Sequence, residues 1–128
     1  MLFAFGRWPL REIRMDDAMK RKILALLDAH RIMTIATLRP DGWPQATTVG
    51  YVNEGLKLWF LCGLQSQKAH NLARDNRVSI TVDHDTPDLL SITGLSMAAR
   101  AHRVTDRARQ PCRPRAVVPA CRCPGAGA

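Results

Sequence analysis

The stretch Gly55-Leu-Lys-Leu-Trp-Phe-Leu-Cys62-Gly-Leu-Gln-Ser66-Gln-Lys68-Ala-His-Asn-Leu-Ala-Arg-Asp-Asn-Arg77 decides the fold. Leu56 to Cys62 is apolar, aromatic and free of Pro, with Lys57 its only charge, so it predicts a mostly buried strand rather than a helix. Gly63 breaks the run. Ser66 then stands at an N-cap position before Gln67 to Arg74, where Ala69, Leu72 and Ala73 share one helical face. Asn76 is expected to close that helix in a left-handed conformation. The strand thus delivers the first turn of a short helix carrying the Ser66 hydroxyl and the Lys68 ammonium. Free N–H groups, the positive helix end and a cation converge there, which suits a phosphate. By itself the pattern favours the plainer meaning, a cap followed by a solvated lysine.

Working outward from this stretch, Asp16 or Asp17 caps a helix running to about His30, with Met19, Ile23, Leu24, Leu26 and Leu27 as its apolar stripe. His30 is expected to satisfy the C-terminal dipole. Ile32, Thr34, Ile35 and Thr37 favour a strand, Arg39-Pro-Asp-Gly42 a turn, and Pro44 to Asn53 a second strand that Asn53-Glu-Gly55 turns back into the central stretch. Downstream, Val78 to Val82 alternates as a fourth strand. Leu89 to about Val104 predicts a long fifth, interrupted near Gly94-Leu-Ser96. Strands predominate and the helices are peripheral, so the fold class is mainly β, and closure into a small antiparallel barrel would remove exposed edges.

The chain has 128 residues, enough for one small domain. Its net charge of +8 invites a nucleic-acid reading, but the charge is unevenly spread. Residues 1–106 hold 14 Lys and Arg against 11 acidic residues, whereas residues 107–128 hold five Arg and no acid. That tail also contains four of the eight Pro and three of the four Cys, shows no periodicity, and reads as irregular. It lacks aromatics on which bases could stack, which ranks nucleic acid well below other partners. Cys121-Arg-Cys123 is too closely spaced for a usual zinc knuckle, and no metal site is expected. A single Cys62 in the body points to a reducing, cytoplasmic setting. Residues 1–15 read as an N-terminal extension, too briefly apolar for a secretory signal or membrane span, with Met15 as one candidate start. The composition changes abruptly at Asp106, as at a shifted reading frame or an artefactual end. An independently confirmed, uninterrupted frame across codon 106 would remove that reading.

Taken in order, Ile32-Met-Thr-Ile-Ala-Thr-Leu38, Pro40-Asp-Gly-Trp-Pro-Gln-Ala-Thr-Thr-Val49, Leu56 to Cys62, Ser66-Gln-Lys-Ala-His-Asn-Leu72 and Asn76-Arg-Val-Ser-Ile80 resemble the pyridoxamine 5′-phosphate oxidase-like, FMN-binding split-barrel family. The resemblance spans roughly residues 16–106, taken as the domain. It implies a split β-barrel and a homodimer holding flavin mononucleotide (FMN) between its subunits. Ser66, Gln67 and Lys68 would face the phosphate, Thr47, Thr48 and Val49 would line the flavin from the second strand, and Leu61 and Cys62 from the third. A phosphate needs a fixed cation and N–H donors, and a flavin ring needs apolar walls with a few polar anchors.

There are departures from the family pattern. Thr47 and Gln67 occupy positions that are basic in well-known oxidases of this family, leaving Lys68 as the main cation. Each absent charged contact removes ~1.5–3 kcal/mol if nothing replaces it. The Arg-x-His substrate element of true pyridoxamine phosphate oxidases is missing, so the chain is not expected to be that enzyme. Family members continue with a further helix and strand where this chain has its tail, so a barrel short of one strand is expected.

The function that follows is an FMN-dependent oxidoreductase acting on a small molecule, in which the cofactor carries the chemistry. No general acid or base is nominated: His70 and His84 read as surface histidines, and nothing in the sequence activates Cys62. The alternative is a non-catalytic carrier of flavin, deazaflavin F420 or haem.

Overall fold

The computed structural model describes residues 2–5 and 15–105. In chain order these form β1 (Leu2–Phe5), α1 (Asp17–Ala29), β2 (Ile32–Leu38), β3 (Pro44–Glu54), β4 (Lys57–Leu61), α2 (Gln67–Arg74), β5 (Arg77–His84) and β6 (Thr93–Val104). The strands pair antiparallel in the order β1-β4-β3-β2-β5-β6 and close into a barrel. This is the mainly β split-barrel class expected.

The expected open edge is absent because Leu2–Phe5, inside the stretch read as an extension, supplies the closing strand. It pairs Phe3 with Phe60 of β4 and with Arg103 of β6. Phe3 is buried and its ring stacks on Phe60 at 5.3 Å between centroids. The tail from residue 106, and the frame question attached to it, lie outside the described residues.

The two-residue period of the strands sends Met33, Ile35 and Thr37 of β2 and Val78, Ile80 and Val82 of β5 inward. Ile35 and Ile80 face each other directly across the β2–β5 ladder, both fully buried. In β4, Leu58, Trp59 and Phe60 are all buried, which is what an uninterrupted apolar run signifies. The turn chemistry also holds. Gly42 and Gly55 adopt φ of 84° and 60°, and Gly42 N–H donates to the Arg39 carbonyl across Pro40-Asp41.

Three local expectations are corrected. The break foreseen near Gly94 does not occur, and β6 runs unbroken from Thr93. A side chain at position 94 would place its Cβ 2.9 Å from Asp83 Oδ1, so the glycine serves a close approach to β5 rather than an interruption. Leu89–Ser91 instead forms a 3-10 turn, capped by Asp88, whose carboxylate accepts from Leu90 N–H and Ser91 Oγ. The second helix ends on Asp75 in an extended conformation, and Asn76 Oδ1 accepts from Arg100 instead of closing the helix left-handed.

Helix α1 is capped by Asp16, which accepts from Ala18 N–H at 2.7 Å. Its apolar stripe engages only from Ile23 onward: Met19 is exposed, Ile23 and Leu26 pack against the core, and Leu27 is buried in it. Tyr51 secures the helix end by donating its hydroxyl to the Leu27 carbonyl at 2.7 Å. Burial, with a smaller contribution from the Asp28 charge, pushes this phenol from its ordinary 10 to about 12. A raised value means the folded state holds the proton more tightly. The stabilisation is therefore complete below about pH 10 and is lost as pH rises toward 12. Tyr51→Phe should cost about 1 kcal/mol at neutral pH and flatten that alkaline loss, as read by urea unfolding at a series of pH values. Identical pH profiles for the two proteins would contradict this role.

Candidate functional site

The candidate site lies where β3 runs past the end of β4 and the chain turns into α2. Between Pro44 and Gly50, β3 is paired to β2 on one side, while its pairing to β4 begins only at Tyr51. Among the described residues no strand pairs with the other margin of β3 there, and this is the split in the barrel.

Ser66 caps α2 as predicted, accepting from Ala69 N–H at 3.2 Å and donating to the Gly63 carbonyl at 2.8 Å. Its hydroxyl is therefore committed within the chain. The Ala69 and His70 N–H groups are also taken, by Ser66 Oγ and the Ser66 carbonyl. The Gln67 and Lys68 N–H groups remain as first-turn donors without intrahelical partners. Lys68 is half-buried and makes no ion pair among the described residues.

Gln67 turns back along the helix, its Nε2 donating to Asn71 Oδ1 at 2.9 Å. Asn71 is completely buried. Its Nδ2 donates to Thr37 Oγ1 at 3.0 Å and to Gln45 Oε1 at 3.2 Å, fastening the helix to β2 and β3. Nothing in the local sequence assigns Asn71 this task. A polar residue in the middle of a short helix ordinarily faces water, and only the tertiary fold shows that this one does not.

The remaining candidates divide by face. Thr48 and Leu61 are exposed on the outer surface. Val49 and Cys62 are half-buried and pack against the core, leaving mainly their backbone to the site. Thr47 lies opposite Ile35, and its hydroxyl is buried without a hydrogen-bond partner. A buried hydroxyl of this kind ordinarily finds a hydrogen-bond partner, most often ordered water. Two N–H groups without a partner among the described residues and a half-buried cation are a donor set that fits an anionic ligand.

Two surface grooves among the described residues include none of these eight residues. One, of about 470 Å³, lies by the C-terminus of α2 and is rimmed by Arg74, Arg100 and Arg103. The other, of about 440 Å³, runs over β2, β5 and β6. The groups with displaced proton affinities are likewise structural. Arg77 holds Asp75 down to about 2 through paired hydrogen bonds, and Ser91 lowers Asp88.

A closed antiparallel barrel split beside a capped helix start defines a class of small ligand-binding split barrels. The family model described as pyridoxamine 5′-phosphate oxidase matches residues 19–116, and the chain belongs to that family. The match runs past the composition change at Asp106. Among solved structures, the chain is similar to the conserved hypothetical protein Rv2991 from Mycobacterium tuberculosis, with 31% identity and a TM-score of 0.58 over 73% of this chain and 56% of that one. It is also similar to a haem-binding protein from Mycobacterium smegmatis, with 26% identity and a TM-score of 0.61 over 73% of this chain and 39% of that one. A putative pyridoxamine 5′-phosphate oxidase from Listeria innocua, at 24% identity and a TM-score of 0.56 over 62% of this chain and 61% of that one, shares the fold. The chain thus spans less than two thirds of the length of each of these proteins. No described helix is long and apolar enough to cross a membrane.

Proposed function

We propose that the protein binds FMN between two copies of the chain and serves as a flavin-dependent oxidoreductase for a small molecule. The observation that carries this reading is the start of α2, where the Lys68 ammonium and the Gln67 and Lys68 N–H groups have no partner among the described residues at a helix positive end. Thr48 and Leu61 present an outer wall for a ring, and Thr47, whose side chain lies on the opposite face of β3, would contribute through its backbone. The open margin of β3 leaves the site unroofed on one protomer, which a second subunit would complete. Bound flavin would supply hydride and electron transfer. The protein's part is to hold the phosphate, orient the ring and exclude water, so no side chain is assigned as acid or base.

Lys68→Ala should weaken FMN binding about 10- to 100-fold, the equivalent of losing one charge-assisted contact of ~1.5–3 kcal/mol. Fluorescence titration of the purified dimer measures it. Equal affinities for the two proteins would place the phosphate elsewhere.

A second reading, haem carriage, is favoured by the similarity to the mycobacterial haem-binding protein. The absorption spectrum after reconstitution separates the two, a Soret band marking haem and the paired visible bands marking flavin. The F420 alternative has no observation of its own on this chain.

A further inference from the structure

At the end of the barrel away from α2, two histidines meet that the proposed function does not use. His30 caps α1 and His84 ends β5, 54 residues later in sequence. Their imidazoles stand edge to face, with ring centroids 5.5 Å apart and planes at 82°. His30 Nε2 and His84 Nδ1 approach to 3.4 Å. The other nitrogen of His30, Nδ1, lies 2.8 Å from the Leu26 carbonyl. A carbonyl only accepts, so Nδ1 carries the proton and Nε2 presents a lone pair toward His84.

We infer that His30 and His84 together form a site for a divalent transition metal, zinc in the first place. The spacing is long for an N–H hydrogen bond, which usually measures ~2.7–3.2 Å. It agrees with the separation of two nitrogens bound ~2.05 Å from one tetrahedral ion, ~3.3 Å. A square-planar or octahedral pair would stand closer, at ~2.9 Å. The Leu26 carbonyl supplies the outer-shell acceptor that ligating histidines ordinarily have, fixing tautomer and ring orientation. No third His, Cys, Asp or Glu joins the pair among the described residues, so water or a small exogenous ligand fills the remaining positions. Imidazole ligands select zinc and its late-transition neighbours over magnesium and calcium. A bound ion would tie the end of α1 to the end of β5. By sequence His30 reads as a partner of the α1 dipole and His84 as a surface group, because no spacing connects them.

The test is zinc titration by calorimetry on the full-length dimeric protein, with Cys112, Cys121 and Cys123 changed to Ser to remove competing thiols. One zinc per chain is expected, with affinity falling about 10-fold or more in His84→Ala and in His30→Ala, at least the cost of losing an outer-shell partner. His70→Ala, on the exposed face of α2, should bind as the parent does. His84 is exposed, so its variant keeps the fold. Should His30→Ala fail to fold, cobalt(II) gives the second readout, through the intense visible bands of a tetrahedral site that vanish in His84→Ala. Unchanged affinity in His84→Ala, equal losses in all three variants, or no stoichiometric binding up to millimolar zinc would overturn the inference.

Discussion

A chain beginning at Met15 should melt far below the full-length protein, because it lacks the strand that closes the barrel. β1 joins β4 to β6, and its own Phe3 and Ala4 are buried. Removing a buried Phe alone costs ~3–5 kcal/mol. Two strand edges would be exposed as well, with hydrophobic neighbours such as Phe60 beside them. The sum approaches the whole stability of a typical domain, ~5–15 kcal/mol, so the shortened chain should be partly unfolded and prone to association. Phe3→Ala in the full chain isolates the packing share and should lower stability by ~3 kcal/mol. Thermal melts of the three proteins decide the matter. If the shortened chain melts with the parent, β1 contributes nothing to the fold.

Asn71→Leu should be the most damaging single change in α2. It removes three hydrogen bonds at once and leaves the Thr37 hydroxyl, only 2% exposed, without a partner. Gln67 is exposed and can turn to water, so the principal cost falls on the Thr37–Gln45 side. A loss of about 3 kcal/mol is expected, which for a domain of this size lowers the melting temperature by roughly 15 °C. Replacing both partners by apolar groups relieves the orphaned hydroxyl, so Thr37→Val should recover part of that loss in the Asn71→Leu background. Additive losses in the double variant would show that the two side chains do not depend on one another. The same change should loosen the first turn of α2 and, under the proposed function, weaken FMN affinity alongside stability.

The legible parts of this fold are those governed by neighbours in sequence. The Asp16 and Ser66 caps, the Arg39–Gly42 turn and the buried run through Trp59 each carry their cause within a few residues. β1 was illegible because four residues followed by Gly6 and Arg7 show no usable period. What makes them a strand is pairing with residues some 60 and 100 positions away. Gly94 misled for a related reason: its closeness to Asp83 belongs to the paired sheet, and from sequence alone an isolated glycine in a strand reads as a break.

For the candidate site, the sequence shows which residues neighbour one another along the chain but not which way their side chains point. The placement of Lys68 at a helix start followed from the Ser66 cap. Alternation along β3, by contrast, separates Thr48 from Thr47 and Val49, so three consecutive residues cannot line one wall with their side chains. Gln67 differs from expectation in direction, since its amide serves Asn71. The unpartnered Thr47 hydroxyl and the convergence of His30 with His84 are products of long-range folding and have no local signature.

Leu2 pairs with Val104, so the barrel begins and ends on adjacent strands. The order of the elements along the polypeptide is therefore separable from their order around the cylinder. A short peptide linking these two points would make a ring without crossing the molecule, and new ends could be opened at an exposed hairpin such as Asp41-Gly42. Anything joined directly at Leu2 or after Val104, whether a purification handle or a fluorescent reporter, would emerge at the same seam.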